Sequence, residues 1–124
     1  MPRILIADSH ELVSCGLHAA LRSHGLDNIV GHARDEQEMM ELVSEFNPDV
    51  VILDFLAEGF SVESILKLKS SNTPGILALT EGQSGSILVT ALRAGVDGYV
   101  KKDCDLLEIV DAVKEVASGI LTCC

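Results

Sequence analysis

Five short apolar runs, separated by stretches of helical spacing, dominate this chain, and that alternation leaves few folds open to it. The runs Arg3 to Ala7, Asn28 to His32, Val50 to Leu53, Ile76 to Leu79 and Gly98 to Lys101 begin at near-even intervals. Ile4-Leu5-Ile6-Ala7 and Val50-Val51-Ile52-Leu53 are apolar without alternation, as expected of strands covered on both faces in a parallel sheet. Between the runs, apolar residues recur at helical spacing: Val13, Leu17, Ala20 and Leu21; Met39, Leu42, Val43 and Phe46; Leu106, Ile109, Val110, Val113 and Ala117. Each set forms one buried stripe. Gly25, Asn47-Pro48 and Gly119 read as helix stops. Regular βα alternation predicts a single α/β domain over residues 1–124, a doubly wound, five-stranded parallel sheet with helices on both faces and right-handed crossovers.

The 124 residues suffice for one core that buries about two-thirds of the surface the unfolded chain exposes. No stretch approaches the roughly 18 to 20 apolar residues of a membrane span, and Met1 leads into a strand-like run rather than a signal peptide, so an intracellular, cytoplasmic location is expected. A net charge of −10, from 19 acidic and 9 basic residues, opposes a sequence-independent grip on nucleic acid phosphates. Direct nucleic acid binding by this domain is not expected. The cysteines, Cys15, Cys104, Cys123 and Cys124, lack paired metal-ligand spacing and read as reduced thiols, the last two on a flexible tail. His10, His18, His24 and His32 share no ligand-like spacing and read as solvated or structural.

In an open α/β sheet, ligands bind beyond the carboxyl ends of the strands, where strand order reverses. Strand 1 runs into Asp8-Ser9-His10-Glu11, strand 3 into Asp54, strand 4 into Thr80-Glu81-Gly82, and strand 5 through Tyr99 into Lys101-Lys102-Asp103. Two carboxylates, a hydroxyl and an ammonium therefore converge on one edge. A carboxylate that attacks phosphorus needs its own charge and that of the phosphoryl oxygens offset. Asp54 fits the nucleophile, Asp8 a ligand for Mg²⁺, Lys102 the cation that pairs with the phosphoryl group, and Thr80 a hydroxyl donor to another of its oxygens.

These residues carry a resemblance to response-regulator receiver domains of the NarL/FixJ type that runs from Ile4 to Thr122. Ile4-Leu5-Ile6-Ala7-Asp8-Ser9-His10-Glu11-Leu12-Val13 resembles that group's strand, acidic pair, His, Pro and Leu-Val. Asp49-Val50-Val51-Ile52-Leu53-Asp54 matches its phosphoacceptor strand, and Leu107-Glu108 through Ala117-Ser118-Gly119 is similar to its fifth helix. Ala94-Gly95-Val96-Asp97-Gly98-Tyr99-Val100-Lys101-Lys102-Asp103 resembles its Ala-Gly-Ala-Asp-Gly-Tyr-Leu-Leu-Lys-Asp segment. The resemblance implies a flavodoxin/CheY-like three-layer fold with strand order 2-1-3-4-5. It implies Asp54 as phosphoacceptor, Asp8, Asp54 and the Leu56 backbone carbonyl as the Mg²⁺ site, Thr80 and Lys102 as phosphoryl-sensing groups, and Tyr99 as an aromatic rotamer switch. It further implies a sensor histidine kinase as donor, a dimerisation or output surface on helix 4, strand 5 and helix 5, and a non-enzymatic switching role. NarL/FixJ-type relatives continue beyond the segment matching Gly119-Ile120-Leu121-Thr122 into a helix-turn-helix domain, so a DNA-binding output domain is expected in the full-length protein.

The departures from the pattern bear on the chemistry. Ser9 replaces the second acid of the pair, and a neutral hydroxyl is a poorer ligand for a hard dication than a carboxylate, so weak Mg²⁺ binding is expected. Asp54 is followed by Phe55-Leu56-Ala57-Glu58-Gly59 where relatives show Met-Pro-Gly, and Thr80 by Glu81 where a small residue is usual. Glu81 or Glu58 is therefore a candidate replacement ligand. Two further readings stand beside the switch. A degenerate receiver would act as a phosphorylation-independent interaction or dimerisation module, with Ser9 and Glu81 in its favour. A phosphoaspartate hydrolase would want a second Asp two residues after the nucleophile, where this chain has Leu56, and a flavin phosphate would meet Asp8 and Glu11 rather than a loop of backbone donors.

Overall fold

The computed structural model describes residues 1–71, 74–81 and 85–123, with Cys123 through its backbone only. Strand β1 (Ile4–Ala7) leads into α1 (Glu11–Ser23), followed by β2 (Ile29–Ala33), α2 (Glu36–Phe46), β3 (Val50–Leu53) and α3 (Val62–Ser70). The alternation continues with β4 (Gly75–Thr80), α4 (Gly85–Ala94), β5 (Gly98–Lys101) and α5 (Leu106–Ala117). The five strands pair in parallel in the order β2-β1-β3-β4-β5, as expected. A two-residue strand, β6 (Thr122–Cys123), extends the sheet in parallel beyond β5. Its backbone pairing places Cys123 opposite Tyr99, which corrects the expectation of a loose tail up to that residue. Cys124 and Gly82 lie outside the described residues.

The unbroken apolar runs hide an alternation that the two faces of the sheet reveal. Leu5, Ala7, Val51, Leu53, Ile76 and Ala78 point into one core with Met39 and Val43 of α2, Ile65 and Leu68 of α3, and Ala91 of α4. Ile4, Ile6, Val50, Ile52, Leu77 and Leu79 point into the other, with Leu17 and Leu21 of α1 and Ile109, Val110 and Val113 of α5. Successive strand residues face opposite sides, and because helices cover both sides, β1 and β3 are apolar at every position.

Helix ends follow the stops legible in the chain. Gly25 has φ 84° just past α1, Asn47 takes the left-handed conformation at φ 48° as the C-cap of α2, and Gly119 has φ 81° after α5. At the start of α2 the Asp35 side chain accepts from the Glu38 backbone N–H at 2.8 Å, which satisfies one of the orphan donors of the first turn. Helix α1 has no side-chain cap, since His10 occupies that position and makes none. Among the described residues no helix is long and apolar enough to cross a membrane.

Candidate functional site

Strand order reverses between β1 and β3, neighbours whose last residues, Ala7 and Leu53, are paired. The residue that follows each is an aspartate, so Asp8 and Asp54 emerge side by side at the carboxyl edge. Backbone hydrogen bonds hold both there: Asp8 N–H donates to Ala33 O and Asp54 N–H to Ala7 O, each at 3.0 Å. Both carboxylates are buried, at 5% and 4% exposure, where an uncompensated charge would be costly. Lys102 supplies the compensation. Its Nζ lies 2.7 Å from Asp8 Oδ2 and 2.6 Å from Asp54 Oδ2, on a side chain only 8% exposed.

Lys102 reaches this position because β5 ends beside β4: Thr80 pairs with Lys101, and the Lys102 N–H donates to Thr80 O at 2.8 Å. Burial alone would lower the ammonium's pKa, but hydrogen bonds to Asp54 and Asp8, together with the charge of both, outweigh it and hold Lys102 above the ordinary lysine value. The other Asp54 oxygen, Oδ1, accepts from the Leu56 N–H at 2.9 Å, so the loop after β3 orients the carboxylate without the usual proline. Gly59 closes that loop with φ 88°, and a Cβ there would come within 3.1 Å of the Asp35 Cβ. The Gly59 carbonyl accepts from the Glu36 N–H at 2.9 Å.

Thr80 and Tyr99 are both buried, and the threonine hydroxyl donates to the Tyr99 hydroxyl at 3.1 Å. Ser9 is half-buried beside Asp8. Glu58 and Glu81 are exposed, and neither belongs to the donor cluster at the strand ends. That cluster consists of Asp8, His10 and Asp54, whose ligand atoms all lie within 4.8 Å of one another. His10 is exposed, as the sequence reading had it, and its ring is also hydrogen-bonded into this cluster. Its backbone N–H donates to Asp8 Oδ1 at 2.8 Å, its Nδ1 lies 2.7 Å from the same oxygen, and Lys102 Nζ is 3.2 Å from that Nδ1. The aspartate two residues earlier is the signal that could have found it, because Asp side chains turn back to the N–H two positions on. His18 and His32 are instead joined to each other, Nδ1 to Nε2, at 2.8 Å.

Residues 4–114 match the family described as the response regulator receiver domain. The chain belongs to that family. Its relatives include LiaR of Bacillus subtilis, 31% identical over 121 residues that make up 96% of this chain and 57% of that protein. DevR/DosR of Mycobacterium tuberculosis, a DNA-binding transcriptional activator, is 35% identical over 122 residues, 96% of this chain and 56% of the relative. The solved receiver domain of NarL from Mycobacterium tuberculosis superposes with a TM-score of 0.88 at 32% identity, covering 95% of this chain and 97% of that one. The receiver thus has its relatives among LuxR-family response regulators, and it spans a little over half the length of these curated relatives.

Receiver domains are signalling switches rather than enzymes in the ordinary sense, and they bind Mg²⁺ through acidic residues. The residues here fit a divalent cation in one observable respect: a cation, the Lys102 ammonium, already lies among Asp8, Asp54 and His10. They depart from an all-oxygen set in that Ser9 stands where a second acid is usual and an imidazole lies within reach of both carboxylates.

Proposed function

We propose that this receiver is a cytoplasmic phosphorylation switch in which Asp54 accepts a phosphoryl group from the phosphohistidine of a sensor histidine kinase. The observation that carries the reading is the pairing of a buried Asp54 with both Lys102 and, through it, Asp8. In the transfer an Asp54 oxygen bonds to phosphorus as the phosphorus–nitrogen bond breaks, and the departing imidazole recovers its electron pair and a proton. The product is an acyl phosphate that water later hydrolyses, returning the carboxylate and inorganic phosphate.

Each neighbour has a share in this. Leu56 N–H holds Asp54 Oδ1 in place, while Lys102, on its flexible stem, moves from Asp54 Oδ2 to the incoming phosphoryl oxygens and offsets their charge. The Thr80 hydroxyl turns from Tyr99 to donate to a phosphoryl oxygen, which couples the site to the aromatic on β5. A bound dication, held by Asp8, Asp54 and the Leu56 carbonyl, would supply further charge neutralisation on the phosphoryl oxygens. The altered α4–β5–α5 surface then governs a homodimer or a C-terminal DNA-binding domain in the full-length protein.

A second reading, a receiver that works without phosphorylation, has a specific observation behind it: Ser9 offers only a neutral hydroxyl beside Asp8, and Glu81, exposed, is not drawn into the carboxylate cluster in its place. Incubation with a small-molecule phosphodonor and Mg²⁺, followed by intact mass, separates the two. An adduct about 80 Da heavier on the wild type and absent from Asp54→Asn supports the switch, 80 Da being roughly the mass of the phosphoryl group transferred. No adduct across a wide Mg²⁺ range supports the phosphorylation-independent module.

A further inference from the structure

The Lys102 ammonium lies within hydrogen-bonding range of three potential metal ligands at once, Asp8 Oδ2 at 2.7 Å, Asp54 Oδ2 at 2.6 Å and His10 Nδ1 at 3.2 Å. It marks a point at this edge toward which two carboxylates and an imidazole all turn. We propose that His10 is a metal ligand in place of the acid missing at Ser9, and that the resulting carboxylate–carboxylate–imidazole site prefers a first-row transition-metal dication over Mg²⁺. The inference rests on reading the cleft as a cation-dependent receiver site, but concerns only which ion it holds and through which residues.

The chemistry of the donors decides the preference. Mg²⁺ demands near-octahedral oxygen coordination and dehydrates reluctantly, and Ser9 offers it only a neutral hydroxyl. Imidazole suits Zn²⁺, Co²⁺, Ni²⁺ and Cu²⁺, whose affinities for mixed N/O sites rise along the Irving–Williams order. Placement favours His10 as well. Its backbone N–H is tied to Asp8 Oδ1 at 2.8 Å, so the turn that carries the ring is anchored to a carboxylate of the same site. The ring is half exposed, at 51%, so with Nδ1 on the metal its proton can reside on Nε2. Ordinary metal–ligand lengths of about 2.0–2.2 Å are shorter than the ammonium's contacts, so the three donors close inward by roughly half an ångström or more.

Metal and ammonium cannot share that point. An entering dication expels Lys102 Nζ from both carboxylates and leaves it free for an anion, so metal occupancy arms the residue that the phosphoryl transfer uses. Ser9→Asp, which restores the oxygen ligand, shifts the preference back toward Mg²⁺.

The test is calorimetric titration of the untagged protein with Ni²⁺ and with Mg²⁺, without phosphodonor, on the wild type, His10→Ala, Asp54→Asn, Ser9→Asp and a His18→Ala/His32→Ala double variant. The wild type is expected to bind Ni²⁺ at least about tenfold more tightly than Mg²⁺. Because losing even an outer-shell partner of a metal costs about 10- to 100-fold in affinity, His10→Ala should lose at least that for Ni²⁺, with Mg²⁺ binding changed less than about twofold. Asp54→Asn should weaken both ions, Ser9→Asp should tighten Mg²⁺, and the double variant should match the wild type. The Co²⁺ adduct should show no intense near-ultraviolet thiolate charge-transfer band. Equal affinity for Ni²⁺ and Mg²⁺, an unchanged Ni²⁺ affinity in His10→Ala, loss of Ni²⁺ binding in the double variant, or a thiolate band would each overturn the proposal. A phosphoryl adduct formed with Mg²⁺ alongside His10-independent Ni²⁺ binding would keep the switch and sink this site. His10-dependent Ni²⁺ binding with no adduct on Asp54 would do the reverse.

Discussion

The Thr80 hydroxyl donates a hydrogen bond to the Tyr99 hydroxyl at 3.1 Å, and both side chains are buried. The last residue of β4 is thereby tied to the aromatic of β5, on the strand that ends just before Lys102. A change at the carboxyl edge that claims the Thr80 hydroxyl must therefore alter the hydrogen bonding of Tyr99, which packs in the core beneath α4. Tyr99→Phe removes this bond while keeping the ring, and is expected to cost about 1 kcal/mol. Tyr99→Ala also empties the ring's site and is expected to cost about 3–5 kcal/mol. Urea unfolding at pH 7 measures both, and equal costs would mean that the ring contributes no packing.

Lys102→Met should be far more damaging than the exchange of an ordinary surface lysine. It retains a stem of similar volume but leaves the buried Asp8 and Asp54 carboxylates without their shared cation, and breaking such a pair costs about 3–5 kcal/mol. The folded-state pKa of Lys102 is raised, so the stability it contributes is fully present below the unfolded lysine value of about 10.4 and is lost as pH rises through the folded value. The gap in unfolding free energy between wild type and Lys102→Met should narrow above about pH 10.4. A gap that stays constant from pH 7 to 11 would mean that the ammonium's charge is not the source of the stability.

The pairing of His18 with His32 predicts sensitivity on the acid side. Burial, followed by the neighbouring His18, lowers the pKa of His32, so the folded state resists a proton that the unfolded chain accepts. Stability should hold above the ordinary histidine value of about 6.5 and fall as pH drops from there toward the lowered folded value. Denaturation midpoints for wild type and His32→Gln, measured at pH 7.5 and 5.5, check this. The wild type should lose more on acidification than the variant does.

Two glycines should respond to Ala substitution with opposite signs. A Cβ at Gly98 would lie 2.9 Å from Leu77 Cδ1, Thr122 Cγ2 and Val116 Cγ2, an overpacked position under α5 and beside β6 worth about 1–3 kcal/mol of destabilisation. Gly16, in α1, has nothing within 4 Å of its added Cβ, and Ala there should stabilise by about 0.5–1 kcal/mol because it restricts the unfolded chain and favours the helix. Paired thermal melts decide the matter, and destabilisation of similar size at both sites would contradict the close approach at Gly98.

Much of this architecture is local in origin and was legible along the chain. Apolar runs such as Val50 to Leu53 have no room for a polar residue because helices cover both faces of the sheet, so the buried parallel strand shows in composition alone. The turn conformations at Gly25, Asn47 and Gly119 depend on single residues, and they end their helices where those residues stand. Asp8 and Asp54 could be placed together because a residue that follows a strand stays at that strand's end, and the topology makes these two strands neighbours.

What only the tertiary structure decided is set by contacts between residues far apart in sequence. The two-residue β6 is too short to carry a periodic signal and exists through pairing with β5 and the space left by Gly98. The inward pose of Tyr99 depends on Thr80, 19 residues earlier. His10 looked unattached because ligand spacing was sought along the chain, whereas its partners are Asp8, through a turn, and Lys102, 92 residues away. Sequence alone established which charged groups reach the carboxyl edge. The position of the Lys102 ammonium among three donors was settled only by packing, because a buried lysine takes whichever place neutralises the most buried charge.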